Sequence, residues 1–181
     1  LRANPNDTGA LYAMGVAHGL RATYNYLVRK AWLSSLEDAT KARKLHNRVT
    51  ELDPSMIDAR MVQGVHDYVV GSLPALYKAI GFLAGFRGDR ERGIATLKHV
   101  GERGIRNRYD AQVLLAAIYR RERRPADAVP LVEGLLQRFP RNPLFRLELA
   151  QMHADLGDKA KALHYLDSAA ELKKSGAAGY Q

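Results

Sequence analysis

The sequence lacks cysteine altogether, and it holds no apolar run long enough to cross a bilayer. Without cysteine, the chain has no disulfide framework, no thiolate zinc site and no cysteine nucleophile. The chain begins at Leu1, without an initiator methionine or a signal-peptide pattern, so we interpret it as a piece of a longer protein. The sequence leaves its compartment unknown, with cytoplasm and periplasm equally open.

Motifs for catalysis and for metal or nucleotide binding are also missing. The six histidines form no HExxH pattern, and no serine lies in a GxSxG context. Stretch 81–93, GFLAGFRGDRERG, lacks the Lys-Ser/Thr pair and the preceding strand of a phosphate-binding loop. His66, Asp67 and Tyr68 are neighbours on a predicted helix, where successive side chains point about 100° apart and form no relay. The sequence therefore predicts no enzyme, no cofactor and no metal site.

Positive charge is in excess and is unevenly distributed. The 181 residues include 28 Lys and Arg against 19 Asp and Glu, which gives a net charge of +9. Residues 87–146 hold 14 basic and 7 acidic residues, so they carry +7 of that total. A basic half of this kind can attract an acidic protein, nucleic acid or an anionic surface, and charge alone does not choose among them.

An internal repeat organises the chain. Four segments place a small residue eight positions into the unit: Gly15, Gly64, Ala116 and Ala150. Apolar residues at i, i+3, i+4 and i+7 predict helices, and no stretch shows the alternation of a β-strand. Because two antiparallel helices approach closely only where one presents a small side chain, the repeat predicts tandem helix pairs.

This pattern resembles the tetratricopeptide repeat, a helix–turn–helix unit of about 34 residues. The family's small residue at place 8, alanine at place 20 and proline at place 32 correspond to Ala116, Ala128 and Pro140. In the last unit, Ala162 stands at place 20 and Lys174 replaces the proline. The resemblance implies an all-α fold, a right-handed α-solenoid of antiparallel helix pairs. Segments HDYVVGSLP and YRRERRPADA are also similar to uncharacterised repeat proteins of the acidobacterial type.

We expect one domain of four units, which cover about residues 8–56, 57–108, 109–142 and 143–176. The first two units are longer than the family's repeat. In the first, no helix breaker interrupts the sequence, so an elongated first helix is predicted to continue through 24–36. In the second, Pro74 predicts the start of an inserted short helix over 73–86. This helix is apolar almost all round and is expected to be buried against the concave wall.

The glycine-rich stretch is predicted to join the inserted helix to the next one. We expect Gly85 and Gly88 to take the positive φ of a helix C-cap, and Asp89 to cap the following helix. Gly93 falls where the paired helices are expected to touch. His18 and His153 take place 11 of their units and are interpreted as packing histidines. The aromatic run 24–32 is likewise interpreted as packing, rather than as a platform for bases or a small ligand.

The candidate partner-binding groove follows from the resemblance, because places 2, 5, 9, 12 and 13 of the first helices line the concave face in that family. These places hold Asp110, Val113, Ala117, Arg120 and Arg121 in the third unit and Leu144, Leu147, Gln151, Ala154 and Asp155 in the fourth, and all of them except Leu144 and Ala154 are the candidate groove residues. Arginine can bind both oxygens of a carboxylate, so Arg120 and Arg121 are the candidate anchors. The resemblance thus implies a non-catalytic scaffold for a protein or peptide, with an acidic ligand favoured. A basic edge that only aids solubility is an equally open interpretation.

Two further functions stay open. The basic half could bind nucleic acid, although the sequence carries no RRM, KH or helix-turn-helix signature to support it. Uncapped ends of the array could also favour a homo-oligomer, since residues 173–181 are too short and too glycine-rich for a capping helix.

Overall fold

The computed structural model describes residues 4–76, 78–79 and 87–180, and these residues form eight α-helices and no β-strand. The helices are α1 (Thr8–Leu27), α2 (Trp32–Leu52), α3 (Arg60–Gly71), α4 (Arg90–Arg103), α5 (Arg108–Arg121), α6 (Pro125–Arg138), α7 (Pro143–Asp155) and α8 (Lys159–Lys174). A short 3-10 helix, Ile57–Ala59, precedes α3. The predicted all-α fold is confirmed.

The chain divides into two compact units, Leu1–Arg108 and Tyr109–Gln181. In the first unit α1 packs on α2, α2 contacts α3, and α3 packs on α4. In the second unit α6 packs on α7, and α7 packs on α8. Short connections between packed neighbours make them run antiparallel, as in a helical-repeat fold. The grouping of all four predicted repeat units into one domain stays a prediction.

Side-chain caps define where several helices begin. Four N-cap residues accept a hydrogen bond from a backbone N–H of the first turn: Asp7, Asp89, Asn142 and Asp158. The predicted cap of α4 is confirmed, because Asp89 accepts from the N–H of Arg92 at 2.9 Å. Such a carboxylate satisfies an otherwise unpaired donor and complements the positive end of the helix.

The small residues of the repeat are buried, as the sequence predicts. Ala116, Ala128 and Ala150 are each no more than 5% exposed. A β-carbon at Gly93 would lie 2.4 Å from the backbone nitrogen of Tyr68, so α3 and α4 touch backbone to backbone at this point. The predicted close approach at Gly93 is confirmed.

The first helix is long but ends earlier than the sequence predicts. It has 20 residues and ends at Leu27, and α2 follows with 21 residues. The prediction of a continuous helix through 24–36 is therefore wrong. Lys30 makes the turn with a φ of 55°, and the N–H of Ala31 donates to the carbonyl of Asn25 at 2.9 Å. Neither glycine nor proline marks this turn, so the sequence pattern gives no sign of it.

Most of the predicted inserted helix, 73–86, lies outside the described residues. Helical backbone is present at residues 75, 76, 78 and 79, and the N–H of Lys78 donates to the carbonyl of Pro74 at 3.0 Å. A helix therefore begins after Pro74, as predicted. The expected burial of this helix concerns mainly residues 77 and 80–86, which are not described, while Leu76 is exposed.

Gly88, which lies before α4, serves a different purpose from the one predicted. Gly85 lies outside the described residues. Gly88 does not have a positive φ, so that prediction is wrong. A β-carbon at Gly88 would lie 2.5 Å from the β-carbon of Val70 and 2.8 Å from the carbonyl oxygen of Asp67. Glycine is thus needed here because the chain passes close to α3, rather than because a helix ends.

One carboxylate, Asp58, organises the segment that follows α4. Its side chain accepts backbone N–H bonds from Ile105, Arg106 and Asn107 at 3.1, 3.2 and 2.9 Å. The side-chain amide of Asn107 in turn donates to the hydroxyl of Tyr12 at 3.0 Å. This network ties α1, the 3-10 helix and the end of α4 together within the first unit.

The C-terminal segment after α8 packs against α7 despite its glycines. Tyr180 is buried, and its ring lies under the guanidinium of Arg146 on α7, 5.5 Å from the ring centroid. Gly176 and Gly179 take positive φ and turn the chain back. The described residues after α8, 175–180, form no capping helix, but they still cover part of α7 through Tyr180. Self-association stays a prediction.

Candidate functional site

All eight predicted groove residues are exposed on helices of the second unit. Asp110, Val113, Ala117, Arg120 and Arg121 lie on α5, while Leu147, Gln151 and Asp155 lie on α7. Their spacing of three or four residues puts each set on one face of its helix. That these two faces form a ligand groove stays a prediction.

An ion pair joins the candidate faces of α5 and α7. Arg120 Nη1 lies 2.6 Å from Glu148 Oε2, and both side chains are more than two-fifths exposed. The predicted anchor therefore already holds a carboxylate of its own chain. Glu148 was missed because it takes place 6 of its unit, outside the concave places of the family. Nothing in the sequence points to this pair, whose members are 28 positions apart.

The basic cluster 120–124 is divided between a helix face and a turn. Helix α5 ends at Arg121 and α6 begins at Pro125, so Arg123 and Arg124 lie in the turn, as predicted. Arg124 pairs with Asp127 at 2.8 Å, and its guanidinium lies over the ring of Tyr119. This part of the cluster stabilises the hairpin instead of facing a ligand.

A cavity of about 560 Å³ lies beside the start of α5. Its walls are largely aromatic and basic, and they include Tyr109, Phe139, Phe145, Arg138 and Arg141. The rings of Tyr109 and Phe139 pack edge to face, with centroids 5.1 Å apart. Asp110 and Val113 also line this cavity, whereas the other six predicted residues do not. The repeat register used Pro140 and Phe145 only as repeat places and predicted no cavity beside them, so this feature was missed.

The two place-11 histidines have different environments. His153 is buried and stacks on Tyr165, with ring centroids 5.6 Å apart, so its interpretation as a packing residue is confirmed. His18 is partly buried between α1 and α2, as the sequence predicts, and its Nδ1 lies 2.9 Å from Oδ1 of Asp38. Its contact with α2 is made within a polar cluster.

That polar cluster is centred on Asp38 of α2, which is buried against three polar side chains of α1. Arg21 donates through Nε at 2.8 Å, and Asn25 donates through its amide at 3.1 Å. The Arg21 guanidinium, followed by His18, holds the pKa of Asp38 well below its usual range. Asp38 raises the pKa of Arg21 in return. The cluster fixes α2 against α1, and a cavity of about 380 Å³ lies beside it.

We expect Asp38→Asn to destabilise the protein near neutral pH and to have little effect in strong acid. A depressed pKa means that the ionised carboxylate stabilises the fold above the unfolded value of about 4. This contribution declines as the pH falls below about 4 and is lost only when the pH passes the depressed pKa of the folded protein. Urea midpoints of both proteins at about pH 7, 4 and 2 measure the difference. The exposed Asp167→Asn is the control. A difference in urea midpoint between the two proteins that is the same at every pH would contradict the prediction.

His66 and Asp67 form no hydrogen-bonded relay, and no metal-binding arrangement occurs among residues 4–76, 78–79 and 87–180. No three His, Cys, Asp or Glu side chains of this part are placed to hold a metal ion. His66 Nδ1 lies 3.6 Å from Asp67 Oδ1, beyond hydrogen-bond distance, and Asp67 pairs with Arg92 at 2.7 Å. Burial, together with the charge of Arg43, lowers the pKa of His66. In the same part of the chain, no helix combines the length and the apolarity that spanning a membrane requires.

The aromatic run 24–32 is not packed in a core. Tyr24, Tyr26 and Trp32 are each about half exposed, which excludes packing in a core, while packing at the end of the solenoid stays a prediction. Tyr26 and Trp32 contact each other edge to face, with centroids 4.8 Å apart, at the end of the α1–α2 hairpin. The early end of α1 explains the difference, because it leaves these rings around a turn.

Residues 110–152 match the family model described as Tetratricopeptide repeat. The chain carries a tetratricopeptide repeat. The match runs from the first turn of α5 through α6 into α7, and it covers under a quarter of the chain. Together with the all-helical fold and its packed consecutive helices, it supports the predicted tetratricopeptide-repeat protein. The tetratricopeptide repeat is generally a protein–protein interaction module. No curated protein and no solved structure matches the chain significantly, and the similarity to acidobacterial proteins stays a prediction.

Proposed function

We propose that the protein is a non-catalytic scaffold that binds an acidic peptide, or the carboxylate end of a partner, on the joined faces of α5 and α7. The observation that carries the proposal is the exposed pair of Arg120 and Glu148, which shows that this surface already accommodates a carboxylate. The family match over the same helices supports a protein or peptide as the ligand.

The ligand's carboxylate would take the place of Glu148 at Arg120. An exposed ion pair contributes at most about 1 kcal/mol, so releasing Glu148 to water costs little. Arg120 keeps a charged partner throughout, which avoids leaving an unpaired charge under the ligand. The exchange therefore favours a ligand that makes further contacts beside Arg120.

Apolar side chains on the same faces supply such contacts. Val113 on α5 and Leu144 and Leu147 on α7 are all exposed. Ala117 lies between Val113 and Arg120 on the face of α5 and is small enough to let a ligand backbone approach. A short extended segment with an acidic group and one or two apolar side chains fits this combination best.

Nucleic-acid binding receives less support from the same observations. Arg92, Arg120 and Arg124 of the basic half each pair with a carboxylate at 2.8 Å or less. Such pairs reduce the positive field that phosphates would meet. This alternative predicts a gel shift that appears at low salt and weakens steeply at moderate salt, because each neutralised phosphate releases counterions.

Two substitutions with opposite expected signs test the peptide-binding proposal. With a fluorescent peptide that carries glutamate and leucine side chains and ends in a free carboxylate, Arg120→Ala combined with Arg121→Ala should weaken binding by about tenfold or more. Glu148→Gln should instead strengthen binding a few-fold, because it removes the carboxylate that occupies Arg120. Fluorescence anisotropy measures both dissociation constants.

The matched control is Lys173→Ala combined with Lys174→Ala, which removes the same charge from the exposed end of α8. It should leave the affinity within about twofold, since these lysines act only through screened long-range attraction. If the control weakens binding as much as the arginine variant, or if Glu148→Gln weakens it, the proposed site is wrong.

A further inference from the structure

The end of the α1–α2 hairpin exposes an unusual density of large apolar side chains. We call residues 26–33, with the sequence YLVRKAWL, the hairpin tip. Leu27, Val28 and Trp32 are about three-fifths exposed, and Leu33 is 84% exposed. Single exposed apolar residues are normal on soluble proteins, but contiguous groups mark an interaction surface.

The apolar surface continues along both helices behind the tip. Leu20 and Tyr24 precede Leu27 at helical spacing on α1, and Leu36 follows Leu33 on α2; all of them are exposed. Residues spaced in this way share one helix face. The tip is therefore the end of an apolar stripe and not an isolated side chain.

Positive charge surrounds this surface. Residues 20–44 contain six basic residues, Arg21, Arg29, Lys30, Lys41, Arg43 and Lys44, and two acidic ones, Glu37 and Asp38. Asp38 is buried in its cluster with Arg21, and Glu37 accepts a hydrogen bond from Lys41. The only charges within the tip itself are the exposed cations Arg29 and Lys30.

The tip is held in a defined conformation. At its base, the hydroxyl of Ser35 donates to the carbonyl of Ala22 at 2.9 Å. The N–H groups of Arg29 and Ala31 donate to carbonyls of α1, and Tyr26 packs edge to face on Trp32. A surface that is ordered before binding loses little conformational entropy when it meets a ligand.

We propose that the hairpin tip inserts into the interface of an anionic lipid bilayer. Leu27, Val28 and Leu33 would enter the boundary of the acyl chains, where aliphatic side chains gain free energy by leaving water. Trp32 and Tyr26 have the amphipathic rings that prefer the headgroup level. Arg29 and Lys30 extend from an apolar base and reach lipid phosphates.

Other occupants use only part of this chemistry. Nucleic acid would engage the cations and the rings but would leave the aliphatic side chains in water. A second copy of the chain would bring two positively charged surfaces together. An anionic bilayer satisfies both the aliphatic side chains and the cations.

Trp32 is the only tryptophan in the chain, so its fluorescence reports directly on the tip. Adding vesicles of phosphatidylglycerol and phosphatidylcholine should shift its emission to shorter wavelength, and brominated acyl chains should quench it. Phosphatidylcholine vesicles alone should produce a much smaller change, because they carry no net negative charge. Flotation of the protein with the vesicles gives the bound fraction.

Two double variants measure separately how much the cations and the leucines of the hairpin tip contribute to membrane binding. Arg29→Glu with Lys30→Glu should lower the partition coefficient at least about tenfold, since each cation near an anionic surface contributes to binding. Leu27→Ser with Leu33→Ser should lower it by a similar factor, because apolar area stays in water. The controls are Lys173→Glu with Lys174→Glu for charge and Ile105→Ser for an apolar residue that is 88% exposed elsewhere. Far-ultraviolet circular dichroism checks that each variant keeps its helices.

Several outcomes would overturn the proposal. One is a Trp32 emission that is unchanged by anionic vesicles, and another is an equal loss of binding in the control variants. A shift produced by polyglutamate or DNA but not by vesicles would assign the tip to an acidic protein or to nucleic acid. A vesicle-independent shift that rises with protein concentration, together with a light-scattering mass of two chains, would show that a second copy covers the tip.

Discussion

Gly93→Ala is expected to destabilise the α3–α4 pair by about 3 kcal/mol or more, because the added methyl group meets backbone atoms that cannot rotate away. The new β-carbon would lie 2.4 Å from the nitrogen and 2.8 Å from the α-carbon of Tyr68, and 2.7 Å from the carbonyl oxygen of Gly64. Only separation of the two helices relieves these contacts. That separation would loosen the packing around Leu97, which is fully buried on α4. Urea denaturation gives the change in the free energy of unfolding.

The matched control is the same substitution at Gly134, in the interior of α6. A β-carbon there meets nothing within 4 Å, and the residue is exposed. Gly134→Ala should therefore stabilise the protein by about 0.5–1 kcal/mol, since alanine loses less conformational freedom in a helix than glycine. Similar destabilisation in both variants would show that the contact at Gly93 is not the cause.

Asp58→Ala is expected to lower the free energy of unfolding by about 2–3 kcal/mol, because one charged acceptor serves three backbone donors. The N–H groups of Ile105, Arg106 and Asn107 lose their common partner, and the segment after α4 is released. Asp58→Asn keeps one carbonyl oxygen and should lose about half as much. Urea denaturation measures the stability, and amide hydrogen exchange at residues 105–107 measures the local release.

A second aspartate in the same connection provides the comparison for Asp58. The side chain of Asp53 accepts hydrogen bonds from the backbone N–H and the hydroxyl of the neighbouring Ser55. Asp53→Ala should cost less than about 1 kcal/mol, because it removes a local turn contact and no long-range tie. Unchanged exchange at residues 105–107 in Asp58→Ala would contradict the proposed role of this carboxylate.

The features that could be predicted from the sequence depend on local spacing. The repeated spacing of small residues predicts that Ala116 and Ala150 are buried. The aspartate at position 89, just before a helical pattern, predicts the N-cap of α4, because a cap depends on only a few neighbouring residues. The prediction that Gly88 has a positive φ was wrong, although the position does require glycine. Glycine serves there for close packing, and a single sequence does not distinguish that need from a positive φ.

The features that were missed depend on residues far apart in sequence or on a turn without a signature. Glu148 reaches Arg120, and Asp38 reaches Arg21, only once the helices are packed. Lys30 makes the turn with a positive φ, which lysine seldom adopts. The sequence therefore predicted that α1 continues through this point. That one error also concealed the hairpin tip, since a continuous helix has no exposed end at this place.

The occupation of Arg120 by Glu148 has a consequence for selectivity. In the proposed peptide-binding site this internal competitor would set a threshold, because an incoming acid would gain only the difference between its contacts and those of Glu148. Abundant small carboxylates, which offer nothing beyond one ion pair, would be rejected without any steric barrier. Only a peptide that also covers the neighbouring leucines would stay bound.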